Sequence, residues 1–144
     1  MRERILIIED NVTNMELMEY LLRAFRFEVC AAYDGAAGIN AARSMAPDLI
    51  ICDVHLPKMD GYEVVREIKG TPSLNGVPVV AVTALAMVGD QEKLLDAGFD
   101  AYIGKPIDPE SFVGQIDRLL HTALRSKKPA ETAQDPNIES RRRT

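Results

Sequence analysis

Five short apolar runs recur along this chain: RILII at 4–8, FEVCAAY at 27–33, DLIIC at 48–52, VPVVAVT at 77–83 and DAYIG at 100–104. Each has the length of one strand. Between them lie segments whose apolar residues recur every three or four positions, the period of a helix. Asn11 is placed to cap the first such segment, in which Met15, Met18, Leu21, Leu22 and Phe25 share a face. Asp34-Gly35 reads as a turn into an Ala-rich helix that ends near Met45. Asp60-Gly61 reads as a second turn, followed by a helix over 62–69 through Val64, Val65 and Ile68, then the loop GTPSLNG at 70–76. A fourth helix is predicted over about 87–97, with Gly98 at the left-handed closing position. Asp108 and Pro109 form a cap and first-turn proline for a last helix, whose face is Phe112, Ile116, Leu119, Leu120 and Ala123. Strands that alternate with helices predict a parallel sheet. The first, third and fourth runs read as continuous apolar stretches in their interiors, as expected when both sheet faces are covered. The fold class is therefore α/β, a doubly wound parallel sheet of five strands with five helices.

Composition narrows the function. The chain has 144 residues, enough for one domain, and no window approaches the ~18 apolar residues of a membrane span. Acids follow directly on the first apolar run, so MRERILIIEDN is a poor secretory leader and a cytoplasmic protein is expected. Cys30 and Cys52 both lie in apolar runs with no CxxC or His-rich spacing, so both are expected to be buried structural thiols. Residues 125–144 hold six Arg and Lys against three acids, so of a net charge of −5 the first 124 residues carry −8. An acidic body argues against DNA binding. That last segment is polar and without a period, so a disordered tail is expected from 125, with the domain at 1–124. Its RRR end reads as solvated. No GxGxxG or GxxxxGK[ST] is present, against dinucleotide or P-loop nucleotide binding. Met15, Met18 and Met87 read as packing residues, His121 as surface, and Gly35, Gly61 and Gly98 as turn glycines.

In a doubly wound sheet, ligands sit at the carboxyl ends of the strands. The first run leads into Glu9 and Asp10, the third into Asp53, the fourth ends in Thr83, and the fifth is followed by Lys105 and Pro106. Three acids, a hydroxyl and an ammonium would share one rim. Clustered acids repel one another and call for a cation. All-oxygen ligation favours Mg²⁺. A carboxylate beside Mg²⁺ can attack a phosphoryl donor to give an acyl phosphate, with the metal, the lysine and the hydroxyl holding the phosphoryl oxygens.

These pieces resemble the receiver domain of two-component response regulators over residues 3–124. The resemblance is carried by LIIEDN (6–11), PDLIICDVHLPKMDGYEV (47–64), VPVVAVTALAM (77–87) and AGFDAYIGKPID (97–108), in that order. It implies the flavodoxin-like strand order 2-1-3-4-5. It implies Asp53 as phosphoacceptor, Asp10 as a direct Mg²⁺ ligand, Glu9 acting through water, and the His55 backbone carbonyl as a further ligand. Thr83 and Lys105 would contact the phosphoryl group. Tyr102 matches an aromatic switch position that turns inward with Thr83, and the bond before Pro106 is expected to be cis. His55 and Leu85 stand at positions that tune phosphoryl lifetime in the family, and the His55 ring is expected to face solvent. Glu9 stands where many members carry Asp.

The segment VTALAMVGDQEKLLDAGFDAYIGKPI is most similar to single-domain cell-division regulators and the receivers of hybrid kinases, less so to chemotaxis regulators. The resemblance implies a histidine kinase or histidine phosphotransfer protein as donor. Output would be a protein contact at the face of the fourth helix, fifth strand and fifth helix, because the residues after 124 are too few for an appended domain. A monomer or weak dimer is expected, and a signalling protein that catalyses only its own phosphorylation and dephosphorylation, not an enzyme. Two alternatives differ in class. An aspartyl phosphohydrolase would need a second Asp two residues past the nucleophile, where His55 stands. A phosphorylation-independent binding module would lack one of the acids or the lysine.

Overall fold

The computed structural model describes residues 2–84 and 88–132, with side chains at 2–84 and 89–122. The chain order is β1 (Arg4–Ile8), α1 (Val12–Ala24), β2 (Glu28–Ala32), α2 (Gly35–Met45), β3 (Leu49–Asp53), α3 (Gly61–Lys69), β4 (Val79–Thr83), α4 (Val88–Ala97), β5 (Ala101–Gly104) and α5 (Pro109–Thr132). All strand pairs are parallel, and the sheet order is β2-β1-β3-β4-β5. The predicted fold class and strand order are the ones observed.

Strand alternation divides the apolar residues between two cores. Leu6, Ile8, Ile50, Cys52, Val79 and Ala81 face one side, where Ile39 and Ala42 of α2, Val64, Val65 and Ile68 of α3 and Leu94 of α4 cover them. Ile5, Ile7, Leu49, Ile51, Val80 and Val82 face the other, packed by Met15, Met18 and Leu22 of α1 and Phe112, Ile116 and Leu120 of α5. β3 and β4 are buried along their whole length, whereas β2 is an edge strand with a half-buried middle. That edge position corrects the expectation for Cys30, which is only partly buried, while Cys52 is fully buried. Burial pushes the Cys52 thiol up, helped by the charges of Asp53, Glu9 and Asp60, so it stays protonated.

Helix starts follow from short acceptors. The Asn11 side chain accepts from the Asn14 N–H and that of Asp34 from Ala37 N–H. Asp60 and Glu63 form a reciprocal capping box on α3. The two predicted turns are therefore helix caps: Asp34 and Asp60 are N-caps, and Gly35 and Gly61 are the first helical residues. Neither glycine has positive φ; among the described glycines only Gly98 does, at 119°, where it closes α4. The backbone of α5 runs to Thr132, past the boundary predicted at 124. Arg125, Lys127, Lys128, Ala130 and Glu131 in that stretch are good helix formers that can prolong the docked helix, whereas Pro129 works against it, so composition alone does not account for the extension. Residues 133–144, Leu85 and Met87 lie outside the described residues.

Candidate functional site

The strand order reverses direction between β1 and β3, and the carboxyl ends of these neighbouring strands carry the acids. Glu9 follows β1 directly and Asp53 closes β3. Glu9, Asp10 and Asp53 each offer a carboxylate oxygen within 4.8 Å of the others. Asp10 is exposed; Glu9 and Asp53 are 0 and 3% exposed, which leaves two carboxylates where charge is costly.

Lys105 comes from beyond β5 and closes the cluster. Its Nζ donates to Asp53 Oδ2 at 3.2 Å and lies 3.5 Å from Glu9 Oε1. The Lys105 backbone N–H donates to the Thr83 carbonyl at 2.8 Å, which ties this residue to the end of β4. Thr83 itself is buried. The peptide bond between Lys105 and Pro106 is cis, as the family resemblance implies. The other Asp53 oxygen, Oδ1, accepts the His55 backbone N–H at 3.0 Å. The His55 residue is exposed, as expected of its ring.

Electrostatics mark the cluster as incomplete. The Glu9 carboxyl is raised from 4.5 to about 7, mainly by burial, with Asp53 adding to the rise and the Asn11 N–H and Lys105 opposing it. Glu9 Oε2 accepts from the Asn11 N–H at 3.1 Å, whereas the buried Oε1 makes no hydrogen bond. Burial works to lower the Lys105 pKa, but Asp53 and Glu9 outweigh it and raise it above the usual lysine value. A buried carboxylate oxygen that makes no hydrogen bond and has only the Lys105 ammonium at 3.5 Å, beside two further carboxylates, fits a hard divalent cation. Glu9, Asp10 and Asp53 could hold one.

Two features of the site were not legible as such. A Cβ on Gly61 would lie 2.7 Å from both the Asp53 carbonyl oxygen and the Val54 Cα, so only glycine lets α3 start against the Asp53 segment. The Gly61 N–H also donates to the Val54 carbonyl at 2.9 Å. In the loop between them, Lys58 has φ of 66°, bridged by a Met59 N–H to Pro57 carbonyl bond of 2.8 Å. This is a γ-turn of the strained hand. The sequence signal was present only as the triplet Met59-Asp60-Gly61 after a proline. Tyr102 is half-buried on β5, packed at the margin of the first core and lining a cavity of about 350 Å³ with Gln115, Arg118 and Leu119 of α5.

A five-stranded sheet of this order, with an acid cluster and a lysine at its switch point, defines a receiver-type signalling domain. The model of the response regulator receiver domain matches residues 5–117, and the chain belongs to that family. It is 39% identical over 123 residues to the polar-differentiation response regulator DivK of Brucella anthropi, spanning 85% of this chain and all of that protein. Among solved structures it is similar to the receiver domain of a sensor histidine kinase from Pseudomonas aeruginosa, with magnesium coordinated in the active-site cleft. The TM-score is 0.74 at 34% identity, over 85% of this chain and 97% of that one. It is also similar to the receiver domain of a histidine kinase from Syntrophus aciditrophicus, with a TM-score of 0.76 at 33% identity, over 83% and 91%. The chain is thus a DivK-like receiver domain of a two-component system. Among the described residues no helix is long and apolar enough to cross a membrane.

Proposed function

We propose that this protein is a stand-alone receiver that takes a phosphoryl group from a histidine kinase or histidine phosphotransfer protein onto Asp53. An Asp53 oxygen attacks phosphorus; the O–P bond forms as the donor's P–N bond breaks, and the imidazole leaves with the electron pair. Lys105, already paired with Asp53, offers positive charge to the phosphoryl oxygens, and Thr83 offers its hydroxyl. The His55 N–H orients the Asp53 carboxylate. Glu9 and Asp10 would hold Mg²⁺ together with Asp53 and the His55 carbonyl. When bound, the ion would screen the acids from the incoming anion and stabilise the charge of transfer.

The observation that carries this reading is the trio of acids on one rim with Lys105 bridging its two buried members. Phosphorylation would shift an equilibrium in which Thr83 and Tyr102 move together and the α4–β5–α5 face changes its affinity for a downstream protein. On this reading the chain acts in the cytoplasm as a monomer or weak dimer. It signals without contacting DNA, and its chemistry is confined to its own aspartate.

Intact-mass spectrometry after incubation with acetyl phosphate, with and without Mg²⁺, tests this on the native chain and on Asp53→Asn. A single phosphoryl adduct that needs both Mg²⁺ and Asp53 is expected. Steady turnover of a phosphate ester would instead make the domain a phosphohydrolase, and absence of both activities would make it a binding module.

A further inference from the structure

Among the described residues, α4 buries little apolar side chain. Among its described side chains only Leu94 is fully buried, and Leu95 is 49% exposed. By contrast α1, α3 and α5 each bury at least three apolar side chains. A helix so lightly anchored opens locally at low free energy.

A polar and aromatic hold comes from Tyr62, in the first turn of α3. The Lys93 ammonium of α4 sits 5.1 Å from the centroid of the Tyr62 ring. The same ring meets Phe99, just beyond the end of α4, edge to face at 6.2 Å and 75°. Phe99 is itself 3% exposed, so this contact reaches the core. Burial, then Asp90 of α4 and Asp60, raise the Tyr62 hydroxyl pKa, so the ring stays neutral and its face remains a cation acceptor.

The base of this side chain is keyed to the acid site. Tyr62 follows Gly61, whose Cα rests against the Asp53 and Val54 backbone and whose N–H is bonded to Val54. A displacement of the Asp53 segment must therefore carry the first turn of α3 with it.

We propose that Tyr62 is a positioning residue for α4, a clamp that joins the Asp53 segment to α4 through the Lys93 cation–π contact and the Phe99 edge contact. The clamp sets the resting position of α4. Its signalling use rests on the proposed function, in which α4 belongs to the output face; its existence does not.

Amide hydrogen exchange on the full chain, without Mg²⁺ or phosphodonor, tests the clamp. Lys93→Met keeps the methylene stem and removes the charge. It is expected to speed exchange of the α4 amides about two- to fivefold, the scale of an exposed cation–π contact, with α1 and α5 unchanged. Lys93→Arg and Tyr62→Phe should keep native rates, and Tyr62→Leu should exceed the effect of Lys93→Met. Unchanged α4 exchange in both Lys93→Met and Tyr62→Leu would overturn the proposal. So would equal acceleration in every helix of Tyr62→Leu with no effect of Lys93→Met. Failure of the phosphorylation reading would show in the Asp53 mass adduct and leave these rates as they are.

Discussion

Glu9→Gln separates the electrostatic tension of the acid site from its packing. Glutamine has the shape of a protonated glutamate and can still accept the Asn11 N–H. In the metal-free native chain the Glu9 carboxyl is raised from 4.5 to about 7, chiefly by burial. That rise, from 4.5 to about 7, corresponds to about 3 kcal/mol between the neutral and charged forms. The folded state therefore holds a proton through a window, from about 4.5 to about 7, in which the unfolded chain has lost it. Stability falls as pH rises through that window, and the whole penalty is present above it. At pH 8 with a chelator, Glu9→Gln should thus be more stable than the native protein by up to about 3 kcal/mol, and the difference should vanish near pH 4.5. Urea unfolding across the pH series measures this. Mg²⁺ should restore stability to the native chain by binding its folded state, and do much less for the variant. A variant less stable than the native protein at pH 8 without metal, or a difference independent of pH, would refute the argument.

Three further outcomes follow from packing. Gly61→Ala places a methyl 2.7 Å from the Asp53 carbonyl and should destabilise by about 2 kcal/mol in urea unfolding while slowing Asp53 phosphorylation, because the displaced backbone carries the acceptor. Phe112→Ala empties a fully buried position in the core under α5 and should lower stability by about 4 kcal/mol in the same assay. The fraction that remains folded should keep its Asp53 labelling. Lys58→Gly relieves the positive φ of 66° and should be neutral to about 1 kcal/mol stabilising by thermal melt; a clear loss would show that the lysine side chain, not its backbone, matters there.

Much of the molecule was legible because its elements are locally consistent. Uninterrupted apolar runs in β1, β3 and β4 marked a sheet covered on both faces, and the alternation with helical period made it parallel. Once the strands are parallel their carboxyl ends lie at one edge, so Glu9, Asp10, Asp53, Thr83 and Lys105 could be gathered from the ends of runs alone. The Lys105–Asp53 pair spans 52 residues and still followed from topology. Other features did not follow. Asp34-Gly35 and Asp60-Gly61 have the composition of turns and serve as helix starts, since a capping aspartate and a turn aspartate use the same side-chain acceptor. Cys30 has the neighbours of a core residue but sits on an edge strand. The end of α5 carries no apolar period, so its backbone helix was silent in the pattern.

The amino-acid order determined the periodicities, hence the strands, the helices and the rim on which the acids meet. Tertiary structure alone decided how closely elements approach and how far each acid is removed from water. Periodicity records which way a side chain points, whereas the need for glycine at 61, the 0% exposure of Glu9 and its pKa near 7, and the meeting of Tyr62 with Lys93 and Phe99 depend on distances across packed elements. Desolvation and close contact are properties of that three-dimensional neighbourhood, and no single segment of the chain encodes them.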